Sequence, residues 1–363
     1  MNTHPYAGLP STRRWSKAMA MRPADGWDPV TPPPFAIAPT DRIATAGSCF
    51  AQHLARHLRE GGRELLLTET AHPLLPPALT ASFQYGVYSA RYGNIYSTRQ
   101  LLQLWMRAHG RLRPEDDAWQ HAGAWYDPFR PDIQPGGFAT REELARDRLQ
   151  HFEAVRTMFA QAQVLVFTLG LTEHWYARAD GAVYPICPGV IAGRFDPARH
   201  AFGNLTVDEM VADLRHLLAE ARQLNPALKL ILTVSPVPLA ATATDEHVAL
   251  ANGVAKASLR LAAATLAREP GVYYFPAYEI ITGPGQDYFA ADRRSIREAG
   301  VERVMELFFR KVLQQPRQAP SRPADVAEGR FERRMGELVD TLCEEQRLDQ
   351  PLVTDEPART GDA

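Results

Sequence analysis

Residues Asp41–Leu58 read DRIATAGSCFAQHLARHL. The small and β-branched run Ile43-Ala44-Thr45-Ala46 predicts a strand that stops at Gly47-Ser48-Cys49. From Phe50 to Glu60 the apolar residues recur at helical spacing, and Gly61-Gly62 supplies a C-cap. A strand that turns into a helix with no intervening loop is the opening of a βα unit. It also holds the junction residue out at the strand's carboxyl end.

Further along, Val164–Leu169 (VLVFTL) and Leu228–Val234 (LKLILTV) are nearly continuous apolar runs. Strands buried on both faces of a parallel sheet have this composition. Helical patterns alternate with them: Ser97 to about His109, Thr140 to about Ala162, Val207–Leu224, Glu246–Arg268 and Ile296–Val312. Ser97 and the Thr140-Arg-Glu-Glu box are N-terminal caps. Glu64–Thr68 and Val272–Ile281 complete the expected strands, and residues 85–96 and 111–140 read as loops. The alternation predicts an α/β fold, a three-layer α/β/α sandwich around a central parallel sheet.

Residues 1–40, with Pro32-Pro33-Pro34 and Pro39, form an arm laid over a domain at 41–315. A charged tail follows at 316–363. Its one helical pattern, Phe331–Glu345, is expected to dock on the domain or on a partner.

The 363 residues carry a net charge of −2, so no global field favours nucleic acid or an anionic membrane. No apolar run approaches the roughly 20 residues that span a bilayer, and the N-terminus lacks the apolar core of a secretion signal. Three widely spaced cysteines, Cys49, Cys187 and Cys343, form no metal-ligand pattern and suit a reducing compartment. The expectation is a cytoplasmic protein with neither a resident metal nor a cofactor.

Ligands of open parallel sheets bind beyond the strands' carboxyl ends. That rule selects Gly47-Ser48-Cys49, Gly170-Leu171-Thr172-Glu173-His174-Trp175, Ser235-Pro236-Val237-Pro238 and the segment after Ile281. Ser48 is the sharpest candidate, since a helix N-terminus beneath its hydroxyl suits a developing oxyanion. The plainer alternative is that Ser48 only caps the helix. Cys49 could be an activated thiol at the same terminus, but it should point away from Ser48 and pack in the core.

Five further blocks accompany the GSCFA motif at Gly47–Ala51. They are YGNIYS (Tyr92–Ser97), DPFRP (Asp127–Pro131), TLGLTEHW (Thr168–Trp175), VSPVPL (Val234–Leu239) and AYEI (Ala277–Ile280). In this order, over about residues 42–310, they resemble the GSCFA family, which looks like a branch of the SGNH/GDSL hydrolase superfamily. The resemblance implies an acyl-ester enzyme, esterase or O-acyltransferase, acting on a small-molecule or carbohydrate ester such as a glycan precursor. An acyl-CoA donor would serve in the transfer case.

Position by position, the resemblance makes Ser48 the nucleophile and gives the Gly93 amide, next to Asn94, to the oxyanion. Gly170-Leu171-Thr172-Glu173 stands for the block Gly-x-Asn-Asp, with the Thr172 hydroxyl in place of the asparagine amide. Where the superfamily carries Asp-x-x-His, this chain has Asp292-Arg293-Arg294-Ser295, so Asp292 is kept and the histidine is absent. His247, after the Ser-Pro-Val-Pro loop, His174, and Asp292 acting directly or through water are the candidate bases. A non-catalytic binding or assembly protein is the alternative. Arg91, Arg130 and Arg194 are candidate anion clamps, and Trp119, Trp125, Tyr126 and Trp175 candidate sugar platforms. Asn252 and Lys256, on the helix after His247, are expected to fix that helix to the loops.

Overall fold

The computed structural model describes residues 4–20, 27–285, 287–315 and 344–349. In chain order its strands are β1 (Ile43–Ala46), β2 (Trp119–His121), β3 (Ala124–Tyr126), β4 (Val164–Leu169), β5 (Glu173–Ala177), β6 (Val183–Tyr184), β7 (His200–Asn204), β8 (Lys229–Val234) and β9 (Val272–Tyr274). The helices are α1 (Cys49–Glu60), α2 (Pro77–Ser82), α3 (Thr98–Ala108), α4 (Arg141–Gln161), α5 (Val207–Leu224), α6 (Val248–Leu266), α7 (Ala277–Thr282) and α8 (Glu298–Leu307).

The central sheet has the order β1-β4-β8-β9 and every neighbouring pair is parallel. Side chains alternate across it, as the two-residue period of a strand requires. Ala44, Ala46, Leu165, Phe167, Leu169, Leu230 and Leu232 enter a core shared with α3, α4, α5 and α6. Ile43, Val164, Val166, Ile231 and Tyr273 enter a second core with α1, α7 and α8. Two cores on opposite faces of one sheet make the three-layer α/β/α sandwich. The arm covers the sheet's edge: Tyr273 donates its hydroxyl to Thr31 O at 2.6 Å, and Lys229 Nζ donates to Ala36 O at 2.8 Å.

Three local expectations change. Val272–Ile281 is not one strand: β9 ends at Tyr274, and Pro276 stands at the N-cap of α7. A proline has no N–H to donate to a sheet and its fixed φ favours a helix start. Glu64–Thr68 contributes one parallel bridge, Ile43 to Leu65, rather than a full strand. The 111–140 segment contains the antiparallel pair β2–β3, and residues 173–204 form a second small sheet of order β6-β5-β7. Within the tail, Phe331–Cys343 lies outside the described residues, while Glu344–Asp349 forms a short 3-10 turn against the domain. Among the described residues, no helix is long and apolar enough to cross a membrane.

Candidate active site

The turn after β1 is built around Gly47. Its φ is +144°, and a Cβ there would lie 2.7 Å from Thr168 Cβ and 2.8 Å from Thr168 O. Only glycine lets β1 leave the sheet this close to β4. Ser48 then occupies the N-cap position of α1, but its side chain makes no capping hydrogen bond. Capping therefore does not account for the serine. The residue is 3% exposed, and its hydroxyl makes no hydrogen bond to any described residue. It faces Gly170, where an added methyl would sit 3.4 Å from Ser48 Oγ and 3.2 Å from Tyr96 O.

The Gly170 and Leu171 amides both donate to Tyr96 O, at 3.0 and 2.9 Å. These amides are committed to holding the YGNIYS loop, whose Ile95 N–H in turn donates to Gly47 O at 2.9 Å. Gly93 makes the left-handed turn, φ +69°, that delivers Asn94. Asn94 is fixed by its acceptor end: Oδ1 takes Gln52 Nε2 at 3.0 Å and lies 2.6 Å from Tyr88 OH. That phenol is also 3.1 Å from Ser48 O. With Oδ1 held, the Asn94 amide presents its NH₂ outward.

The donors that converge at this point come from Asn94 and Tyr96. Asn94 Nδ2 donates to Glu344 Oε2, and the Tyr96 hydroxyl donates to the same oxygen at 2.6 Å. Next to it, Arg294 donates to Glu345 Oε2 at 2.9 Å and to Pro238 O at 3.3 Å. Lys256, 2% exposed, donates from Nζ to Gly170 O at 3.0 Å. Ser48 and Lys256 thus flank one residue, the hydroxyl facing the side where Gly170 lacks a Cβ and the amine on its carbonyl. Burial lowers the Lys256 pKa to about 8, with Glu345 and Cys49 opposing that shift and Arg294 reinforcing it. Cys49 packs on the apolar cluster of Tyr96, Leu171, Leu239, Ala251 and Ala255.

Other expected residues lie elsewhere. His247 is exposed at the N-cap of α6, where its Nδ1 accepts Ala249 N–H at 3.2 Å. His174 turns toward β7: a Cβ on Gly203 would meet its Nε2 at 2.6 Å, and its Nδ1 lies 3.2 Å from Thr172 O. Burial lowers its pKa. Neither imidazole hydrogen-bonds Ser48. Thr172 is buried, and its carbonyl accepts Leu205 N–H at 2.9 Å. Glu173 pins the 242–243 loop, accepting from the Thr242 hydroxyl at 2.7 Å and Ala243 N–H at 3.1 Å. Asp292 is exposed and closed on its own turn. It accepts the Ser295 hydroxyl at 2.6 Å, which lowers its pKa, and the Ser295 and Arg294 amides at 2.9 and 3.0 Å.

Arg91 and Arg130 are not open clamps. They are buried and bound to Asp147 at 2.9 and 2.7 Å, within a network that includes Glu69, Asp127 and His151. Arg194 is exposed. Trp119 is packed against Tyr184 in a core cluster, whereas Trp175 is half-buried beside Phe195 and Phe202. Sequence reading missed Gln52, Tyr88, Tyr96, Arg294 and Glu344. Gln52 lies one helical turn beyond Ser48, and that spacing was the one available signal.

The chain belongs to the GSCFA family, whose model matches residues 42–308. No curated protein matches it.

Proposed function

We propose that this protein is an SGNH-like serine acyl-ester enzyme, esterase or O-acyltransferase, that uses Ser48 on the ester of a carbohydrate or glycan precursor. The observation that carries this reading is the uncommitted Ser48 hydroxyl. It stands in a capping position at the carboxyl edge of a parallel sheet without capping.

Neutral Lys256 takes the hydroxyl proton as Ser48 Oγ bonds to the acyl carbon. An amine whose pKa lies near 8 is matched to general-base work at neutral pH. The carbonyl π electrons move to oxygen, and that oxyanion accepts from Asn94 Nδ2 and the Tyr96 hydroxyl in the place that Glu344 Oε2 occupies in the structure. Collapse expels the alcohol, which regains a proton from the Lys256 ammonium. Water or an acceptor hydroxyl then removes the acyl group from Ser48. A cytoplasmic setting and an acyl-CoA donor would suit the transfer version.

The second reading is a binding protein on the same scaffold, and the absence of any imidazole bonded to Ser48 among the described residues favours it. Rates with p-nitrophenyl acetate and with acetyl-CoA plus a sugar acceptor, compared between wild type and Ser48→Ala, separate the two. Loss of turnover in Ser48→Ala supports the enzyme; equal rates remove Ser48 from the chemistry.

A further inference from the structure

A second cavity, of about 580 Å³, opens between the C-terminal end of α3, the outer face of α4 and the 110–117 loop. Its volume falls in the range of roughly 300–1,000 Å³ typical of small-molecule sites. Ser48, Asn94, Tyr96 and Lys256 do not line it. Its walls are apolar at Leu112, Leu149 and Phe152, and cationic at Arg107, Arg113 and Arg148.

The state of those cations is informative. Arg148 is committed: it donates to Asp117 Oδ2 at 3.2 Å and reaches Asp127 Oδ2 at 3.5 Å. Arg107 is 7% exposed, yet its side chain makes no hydrogen bond to any described residue. Its guanidinium carbon lies 3.6 Å from the centroid of the Phe129 ring. Such stacking uses the face of the guanidinium and leaves the N–H donors in its plane free to meet solvent or a ligand in the cavity. Burial lowers the Arg107 pKa to about 9, Asp127 opposing, so the group is still a cation at neutral pH. Arg113, exposed at the rim, also makes no side-chain hydrogen bond to a described residue.

We propose that this cavity binds a phosphate monoester carried on a flat apolar body, the phosphate bridging Arg107 and Arg113 and the body lying along Leu112, Leu149 and Phe152. Two guanidinium groups without hydrogen-bonded partners match the charge and the oxygen acceptors of a phosphate dianion. The apolar walls favour a ring over a bare ion. The site is separate from Ser48 and stands whether or not Ser48 is a nucleophile.

Calorimetric titration of the full-length protein with 1-naphthyl phosphate tests it, with 1-naphthol and inorganic phosphate as comparison ligands. The aryl phosphate is expected to bind at least about tenfold more tightly than either, because only it uses both the cations and the apolar walls. Arg107→Met keeps the packing on Phe129 and should weaken binding by about ten- to a hundredfold, the usual range for losing charge-assisted hydrogen bonds. Leu149→Glu, at a position 68% exposed, puts a carboxylate at the mouth without touching the core and should also weaken binding. It decides the matter if Arg107→Met does not fold. Ser48→Ala should bind as wild type does. No heat with the aryl phosphate, or equal affinities in wild type and Leu149→Glu, overturns the proposal.

Discussion

Replacing Lys256 with methionine tests both the burial of its amine and its place in the chemistry. The folded pKa of about 8 lies below the ordinary 10.5, with burial as the leading cause. Near pH 7 the charged amine therefore costs the fold about 3 kcal/mol, at about 1.4 kcal/mol per pH unit between the two values. Because the folded value is the lower one, the folded state binds fewer protons than the unfolded chain between about pH 8 and 10.5. This group's contribution to stability accordingly rises with pH across that window. The thioether chain of Lys256→Met removes the charge but leaves Gly170 O without its donor, a loss of about 1–3 kcal/mol. The two effects oppose, so the variant should fall within about 2 kcal/mol of wild type near pH 7. At pH 9.5 wild type regains about 2 kcal/mol that the variant cannot, and the difference between them shifts by that amount toward wild type. Urea unfolding of both proteins at the two pH values measures this shift directly. In p-nitrophenyl acetate hydrolysis the variant should lose about 10²–10⁴ in rate, as expected for a lost general base, along with the inflection near pH 8. Parallel stability curves at the two pH values would refute the perturbed amine, and an unchanged rate would remove it from catalysis.

Glu344→Gln weakens the acceptor that occupies Asn94 and Tyr96, so turnover of a neutral ester should rise about three- to tenfold, the factor for about 1 kcal/mol less competition for those donors. A rate equal to or below that of wild type counts against competition by this carboxylate. Glu69 is held at a pKa of about 2: burial alone would raise it, but the His151 hydrogen bond at 2.7 Å and the charges of His151 and Arg130 outweigh burial. Its stabilisation is complete above the ordinary 4.5 and is lost as pH falls from there toward 2. Glu69→Gln should thus cost about 3–5 kcal/mol near neutrality, with a flattened acid-unfolding curve between pH 4.5 and 2 by circular dichroism. Gly47→Ala forces a methyl to within 2.8 Å of Thr168 O at a φ of +144°. It should cost at least about 3 kcal/mol, lowering Tm by roughly 6 °C or more at this chain size; a smaller drop in calorimetry would mean that the turn relaxes easily.

The parts of the fold readable from sequence were those governed by local rules. VLVFTL and LKLILTV could be read because a strand buried on both faces has no polar side. The Ser97 cap was equally legible, its hydroxyl accepting Gln100 N–H at 3.3 Å, although the reciprocal box was expected at Thr140 and stands instead at Ser97, where Gln100 reaches back to the Ser97 amide at 3.0 Å. The apolar run 272–281 misled because hydrophobicity alone does not separate a strand from a short buried helix, and Pro276 carries the break. The small sheets escaped notice because their strands are two to five residues long and mostly half-exposed. For the site, Ser48 was legible from the strand-to-helix junction, since that feature is contiguous. Asn252 and Lys256 were legible as ties between α6 and the loops, and they bond Leu239 N–H and Gly170 O, the latter 86 residues earlier in the chain. Glu344 lies 250 residues from Asn94, and no spacing rule reaches that far.

The turn at 292–295 shows how one serine hydroxyl reaches beyond its own turn. Ser295 donates its hydroxyl to Asp292 Oδ2, and the Ser295 and Arg294 amides donate to Oδ1, so the carboxylate is satisfied within its own turn. Its three bonds tie it to its own turn rather than to an imidazole, and its lowered pKa makes it a weaker base still. The same closed turn leaves Arg294 to extend toward Pro238 O and Glu345. A cation thus arrives beside Glu345 and close enough to Lys256 to act on its charge. Arg294 helps to hold the pKa of buried Lys256 down, which keeps part of that amine neutral close to physiological pH. The Asp292 turn and the state of the lysine are therefore linked. Serine at 295 closes the turn, the closed turn carries Arg294, and Arg294 adds to the burial that lowers the Lys256 pKa to about 8.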